Sequence, residues 1–251
     1  MFAALGVAYQ LLPVPPDLFD ETVRALGAAG FGGANVTLPH KEAALALADE
    51  PSERARAIGA ANTLTFSDAG IAADNTDAPG LIAALPANPA GSTVVVLGAG
   101  GSARAAVWAL VDAGAEVGVW NRTPERAAQL ARELGATWLG EVSHADTLVN
   151  CTAVGLEDSS GPDLPDFKNF PVTPDDLDKF SCVVDLVYRP GGTDLERAAR
   201  ERGIRTVDGL EVLVEQGALS FETWTGRAPD REAMRTAARD FDAPETASNT
   251  H

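Results

Sequence analysis

Lys41 stands where a helix begins. The stretch NVTLPHKEAALALAD, residues 35–49, leaves a strand-like piece through Asn, Thr and Pro and enters a helix whose first turn carries this lysine. The chain has three lysines against 16 arginines, so a lysine here is a choice worth explaining. The positive end of a helix dipole disfavours an ammonium ion, and so does a dry cleft. Lysine can give up its proton where arginine cannot, which makes Lys41 a candidate proton donor and acceptor. The bare helix fits equally an exposed lysine paired with a nearby carboxylate. GAANTL places Asn62 before a strand, and ADNTDAPG places Asp77 just before a linker helix. Polar groups at strand ends are where α/β folds assemble sites. A carboxylate near Lys41 would hold it and tune its proton affinity. His40 reads as an exposed first-turn histidine.

A second constellation lies in VVVLGAGGSA, with Gly98, Gly100 and Ala103 in G-x-G-x-x-A spacing between an apolar strand and a long helix. That context makes the pattern a dinucleotide turn formed by Gly98, Ala99, Gly100, Gly101, Ser102 and Ala103. Gly98 permits the tight turn, Gly100 lets a pyrophosphate approach the backbone, and Ala103 lets helix and strand pack. The helix start then offers N–H groups and a positive dipole end to the phosphates. The next strand ends in WNRTPER. An NAD site tends to carry an acidic residue there for the ribose 2′-hydroxyl. Here Asn121, Arg122, Thr123 and Arg126 offer no carboxylate to repel a 2′-phosphate and two guanidiniums to bind it; Arg122 can also stack on adenine. The expected cofactor is NADP. Thr123 also reads as the cap of the following helix, with Pro124 at its first position.

The elements that must position these groups read as α/β. Strands and helices alternate in the first part: VAYQLLPV alternates like a strand, PDLFDETVRALGAAG is a helix, and TLTFSDAGIAAD is a hairpin-like pair of strands. MFAALG resembles a last helical turn closed by Gly6. After Pro86 to Gly91 the strands become continuously apolar, as in a parallel sheet covered on both faces. Further strands lie in TLVNCT, CVVDLVY and IRTVDG, and GLEDSSGPDLPDFKNFPVTPDDLDK is a Pro- and Asp-rich loop. Two helices follow Gly209. With 251 residues, 45% hydrophobic and 22% charged, the chain is an ordinary globular protein. A net charge of −17 argues against nucleic acid or an anionic membrane as partner. No apolar run reaches the length of a membrane span. Cys151 and Cys182 lack metal-like spacing, so no metal is expected and a reducing cytoplasm fits best.

NVTLPHK, GAANTL, DNTD, GAGGSAR, NRTPERA and VEQGALSFETWTG, in this order, resemble the shikimate dehydrogenase family over nearly the whole chain. The resemblance implies a two-domain α/β enzyme, a Rossmann-type doubly wound parallel sheet plus a smaller α/β substrate domain. It implies residues 1–78 and 211–242 as the substrate-binding and catalytic domain, 79–210 as the NADP-binding domain, and 243–251 as a tail. It implies NADPH-dependent reduction of 3-dehydroshikimate to shikimate, with a small molecule as partner and a monomer or homodimer as the active unit. Carried over by position, Lys41 and Asp77 resemble the catalytic pair. Asn35, Thr37, Asn62, Tyr188 and Gln216 would hold substrate. Gly209 would meet the nicotinamide amide through its backbone, and Leu186 would pack on that ring. The family also opens with a strand and a Ser-x-Ser segment that binds the substrate carboxylate. This sequence has no counterpart, which is expected to expose a sheet edge and apolar surface. Two rivals stay open on the residues alone: a quinate/shikimate dehydrogenase using NAD, and an NADP-binding module with little catalysis.

Overall fold

The computed structural model describes residues 1–156, 165–189 and 191–241. The tail 243–251 and residues 157–164 of the Pro- and Asp-rich stretch lie outside the described residues.

Two sheets organise the chain. The first contains β1 (Gly33–Asn35), β2 (Glu50–Pro51), β3 (Thr63–Ser67) and β4 (Gly70–Asp74), in the order β1-β3-β4-β2. β3 and β4 form the expected hairpin, with Ser67 opposite Gly70. β1 runs antiparallel to β3 at one edge, and β2 parallel to β4 at the other. Helices α1 (Phe19–Ala28), α2 (Lys41–Leu47) and α3 (Glu53–Ile58) accompany it. Phe19, Val23, Val36, Ala44, Leu47 and Leu64 build its core.

The second sheet is wholly parallel. It contains β5 (Thr93–Leu97), β6 (Glu116–Trp120), β7 (Thr137–Trp138), β8 (Thr147–Asn150), β9 (Cys182–Asp185) and β10 (Arg205–Val207), in the order β10-β9-β8-β5-β6-β7. This is the Rossmann order, reversing direction between β5 and β8. The crevice at that reversal lies beyond the carboxyl end of β5, where the glycine turn 98–100 sits. Helices α5 (Gly101–Asp112), α6 (Pro124–Leu134) and α7 (Asp194–Glu201) cover the sheet. Both faces are packed: Val94, Val96, Val149 and Val184 belong to one core, and Val95, Leu97, Leu148 and Val183 to the other. The unbroken apolar strands follow from that double burial.

Two helices tie the sheets together. α4 (Asp77–Ala84) leads from β4 toward β5, and α8 (Gly209–Thr225) returns from β10 to lie on α4. A Cβ on Gly80 would fall 2.8 Å from the Gln216 backbone nitrogen, so glycine is what allows this approach. At its far end α8 reaches the first sheet, where Trp224 Nε1 donates to the Leu64 carbonyl at 3.0 Å. α9 (Arg231–Phe241) packs on α8, with Met234 buried against Leu210, Val214 and Ala218.

Some expectations are corrected. VAYQLLPV forms no strand: residues 7–14 join neither sheet. Tyr9, Leu11 and Leu12 are exposed, so alternation there reflects no buried face. The Pro- and Asp-rich stretch is not all loop. It holds 3-10 helices at Pro165–Asn169 and Pro174–Lys179. The second is started by Pro174 and by Asp176, whose carboxylate accepts from the Thr173 N–H and hydroxyl. MFAALG is a 3-10 helix, Phe2–Leu5, closed by left-handed Gly6 as expected.

Candidate active site

Lys41 is the first residue of α2, reached from β1 through a turn with a cis Leu38–Pro39 bond. Its Nζ donates to Asp77 Oδ2 at 2.7 Å and to Ser102 Oγ at 2.8 Å. The side chains of this ion pair are 10% and 14% exposed, so bulk water screens it little. Asp77 begins α4, and its other oxygen accepts from Asn62 Nδ2 at 2.9 Å. Thus three elements of the small sheet region, α2, the lead into β3 and the start of α4, converge on one proton-carrying pair.

Behind this pair lies a buried polar network. Asn62 also reaches Thr76 Oγ1 and Gln216 Oε1, at 3.1 and 3.2 Å, while its own Oδ1 accepts from the Thr76 N–H. Asn35 Nδ2 donates to Ser220 Oγ at 2.8 Å, and Ser220 meets Thr63 at 3.0 Å. Asn35, Asn62 and Gln216 are therefore brought together by β1, the lead into β3 and α8. Thr63, Thr76 and Ser220 link them and were not singled out in the sequence, although each lies within a quoted motif. Tyr9 was missed too: its hydroxyl donates to Asn35 Oδ1 at 3.2 Å and its ring stacks on Phe2, and although the residue as a whole is exposed, desolvation raises its pKa. Thr37 lies two residues past Asn35 with an exposed side chain.

His40 is not exposed. It is 9% accessible, stacks on Phe19 at 4.6 Å and shares a 2.8 Å hydrogen bond with the Val14 carbonyl. It fixes the approach to α2 rather than facing a cleft.

The glycine turn has the shape its spacing implies. Gly98 adopts φ 113°, and a Cβ there would sit 3.1 Å from the Cys151 carbonyl oxygen. A Cβ on Gly100 would meet nothing within 4 Å, which leaves open space before the start of α5. Ala103 is fully buried, and Ala99 packs on the same core. At the end of β6, Arg122 and Arg126 are exposed, and among the described residues neither joins an ion pair. Asn121 Nδ2 donates to the Thr123 carbonyl at 3.0 Å. Thr123 sits at the N-cap of α6 before Pro124, yet its side chain makes no capping bond, contrary to expectation.

A third group surrounds the start of α8. A Cβ on Gly209 would fall 2.7 Å from the Val187 carbonyl group, so only glycine lets the loop after β9 rest there. Leu186 packs on the sheet core and Tyr188 on Leu210 and its neighbours. Asp185 holds this loop: its carboxylate accepts from Asn150 Nδ2, the Val187 N–H and Thr193 Oγ1, at 2.8, 3.0 and 2.7 Å. Burial raises the Asp185 pKa to about 6 despite those donors. Burial, with the Asp185 charge nearby, raises Glu196 to about 7.

A carboxylate-held lysine facing a dinucleotide turn suits proton transfer beside hydride transfer. Residues 1–64 match the family described as "Shikimate dehydrogenase substrate binding domain". Residues 83–153 match "Shikimate / quinate 5-dehydrogenase", and residues 209–239 match "Shikimate 5'-dehydrogenase C-terminal domain". A curated shikimate dehydrogenase (NADP(+)) of Thermus thermophilus is 48% identical over 213 residues, 83% of this chain and 78% of that one. The chain belongs to the shikimate dehydrogenase family. The shikimate dehydrogenase (NADP(+)) of Methanocella arvoryzae is 44% identical over 254 residues, covering 95% of this chain and 90% of its own. A crystal structure of a Thermus thermophilus shikimate 5-dehydrogenase, in complex with NADP(H) and shikimate, superposes with a TM-score of 0.82 at 40% identity. That match covers 95% of this chain and 90% of the other.

Proposed function

We propose that this protein is an NADP-dependent oxidoreductase acting on a CH–OH group: a shikimate dehydrogenase that reversibly reduces 3-dehydroshikimate to shikimate in chorismate and aromatic amino-acid biosynthesis. The observation that carries this is the Lys41–Asp77 pair, set against Ser102 of the nucleotide turn. Family membership supplies the substrate.

The residues present fit NADP. The open space before Gly100 and the positive end of α5 suit a pyrophosphate. Arg122 and Arg126 suit a 2′-phosphate, with Asn121 and Thr123 beside them. Gly209 and Leu186 would line the nicotinamide end. When bound, NADPH supplies the hydride that reaches the substrate carbonyl carbon. The Lys41 ammonium gives its proton to the carbonyl oxygen at C3 as the alcohol forms, and in the oxidative direction neutral Lys41 takes that proton back. Asp77 holds the ammonium in place through their 2.7 Å ion pair. Asn35, Thr37, Asn62, Tyr188 and Gln216 would bind substrate hydroxyls and carboxylate. A net charge of −17 makes local donors necessary for two anionic ligands.

In this proposal residues 1–78 and 211–242 form the substrate domain and 79–210 the NADP domain. Every assigned residue comes from one chain, so a monomer or a homodimer would suffice, in the cytoplasm. No helix among the described residues is long and apolar enough to cross a membrane. The test is NADPH formation from shikimate and NADP+, followed by absorbance. Shikimate-dependent turnover is expected; NADPH binding without turnover would favour the noncatalytic alternative. An enzyme preferring NAD and quinate would instead support the quinate/shikimate alternative.

A further inference from the structure

We propose that Ser102 is a positioning residue for Lys41, fixing the proton donor to the nucleotide turn; this rests on the function proposed above. The Lys41–Ser102 hydrogen bond, 2.8 Å long, joins residues 61 positions apart and links α2 to the first turn of α5. Asp77 alone would leave the ammonium free to swing about a single anchor. With Asp77 Oδ2 on one side and Ser102 Oγ on the other, two of its three N–H directions are set, and the third is left for a substrate oxygen.

Gly101 completes the arrangement. A Cβ on Gly101 would lie 2.8 Å from Lys41 Cβ and 3.1 Å from Lys41 Cδ. The lysine stem therefore lies across the start of α5 in space that only glycine leaves. Turn and lysine are thus held as one unit from both stem and tip. Any movement of the turn relative to α2 lengthens the Ser102 bond and loosens the ammonium. Proton donation is thereby strongest when the turn that cradles the dinucleotide is seated against α2. The Ser102 backbone remains part of the phosphate cradle, and its hydroxyl serves the lysine.

The experiment compares wild type, Ser102→Ala and Ser102→Thr in steady-state oxidation of shikimate, with Lys41→Ala as reference. Alanine is well tolerated in a helix, so Ser102→Ala retains the fold. It is expected to lower kcat about tenfold, the effect of losing one hydrogen bond to a charged group, with KM for shikimate and NADP+ within about twofold. Ser102→Thr, which keeps the hydroxyl, is expected to recover most of the loss. In parallel, 15N-lysine labelling gives three side-chain signals, because the chain has only Lys41, Lys168 and Lys179. Exchange of the Lys41 ammonium protons with water should quicken in Ser102→Ala alone. A kcat unchanged within about twofold, a loss confined to KM for NADP+, or equal impairment in both variants would overturn the proposal. Unaltered ammonium exchange would overturn it too. If wild type fails to oxidise shikimate, the functional reading falls, and the exchange measurement still decides whether Ser102 holds Lys41.

Discussion

At the scale of single residues, Lys41 must be held by its partners and yet release a proton. Lys41→Ala should lower kcat by about 10²–10⁴-fold, the usual effect of a positioned general acid/base, while leaving NADPH binding unchanged. Steady-state kinetics with a binding titration checks this; a near-normal kcat would remove Lys41 from the mechanism. At the other end of the cleft, Arg122→Ala should raise KM for NADP+ by about tenfold or more, as removal of one charge-assisted hydrogen bond does, and leave KM for NAD+ unmoved. Equal effects on both cofactors would reject the 2′-phosphate assignment. Lys41, Asp77 and Asn62 were legible because they stand in dense motifs where elements begin, whereas Gln216, midway along α8, came only from the family resemblance. Ser220, Thr63 and Thr76 were not, since hydroxyl residues are common on helices and strands and only the fold brings these three together. His40 was misread because its partners, Phe19 and Val14, come from segments whose placement the sequence does not reveal.

At the scale of elements, the decisive packing is that of α8 on α4. Gly80→Ala would push a methyl against the Gln216 backbone, with little room to yield. It should cost about 1–3 kcal/mol in urea unfolding, as other overpacking changes do. It should also raise KM for shikimate, because Gln216 accepts a hydrogen bond from Asn62, and both are proposed substrate ligands. An unchanged midpoint and KM would show that the helices separate freely. Five of the six parallel strands were readable, β5, β8 and β9 because double burial writes them as apolar runs. β2 and β7 were not: two residues each, they carry no periodicity. VAYQLLPV misled for the opposite reason, with alternation but no neighbouring strand. The return of α8 to the first sheet came from the family resemblance, since nothing in a helix sequence names its distant partner.

At the scale of the whole molecule, buried carboxyls shape the response to pH. Asp185 at about 6 and Glu196 at about 7 lie above their ordinary values, chiefly through burial. In the window from about pH 4.5 to 7 the native state therefore binds more protons through them than the unfolded chain does. Their contribution to stability falls as pH rises through that window and is regained on acidification. Asp146 and Asp176 are shifted down by their hydrogen bonds, and their contribution is lost only below the ordinary aspartate range. Glu196→Gln removes one of the raised groups. The variant's Tm, relative to wild type, should therefore be higher near pH 8 than near pH 5, roughly one unit either side of the two raised values. A difference independent of pH would show that Glu196 is ionised throughout. This pair of buried acids was not foreseen from the sequence, because burial of Asp185 and Glu196 depends on how β9 and α7 pack in the fold.

The most direct test of the central claim is NADPH formation from shikimate and NADP+ by the 251-residue chain, with Lys41→Ala measured alongside. Shikimate-dependent turnover in wild type that collapses in the variant, with NADPH still bound by both, is the predicted result. Turnover that survives in Lys41→Ala, or wild type that binds NADPH and leaves shikimate untouched, would contradict it.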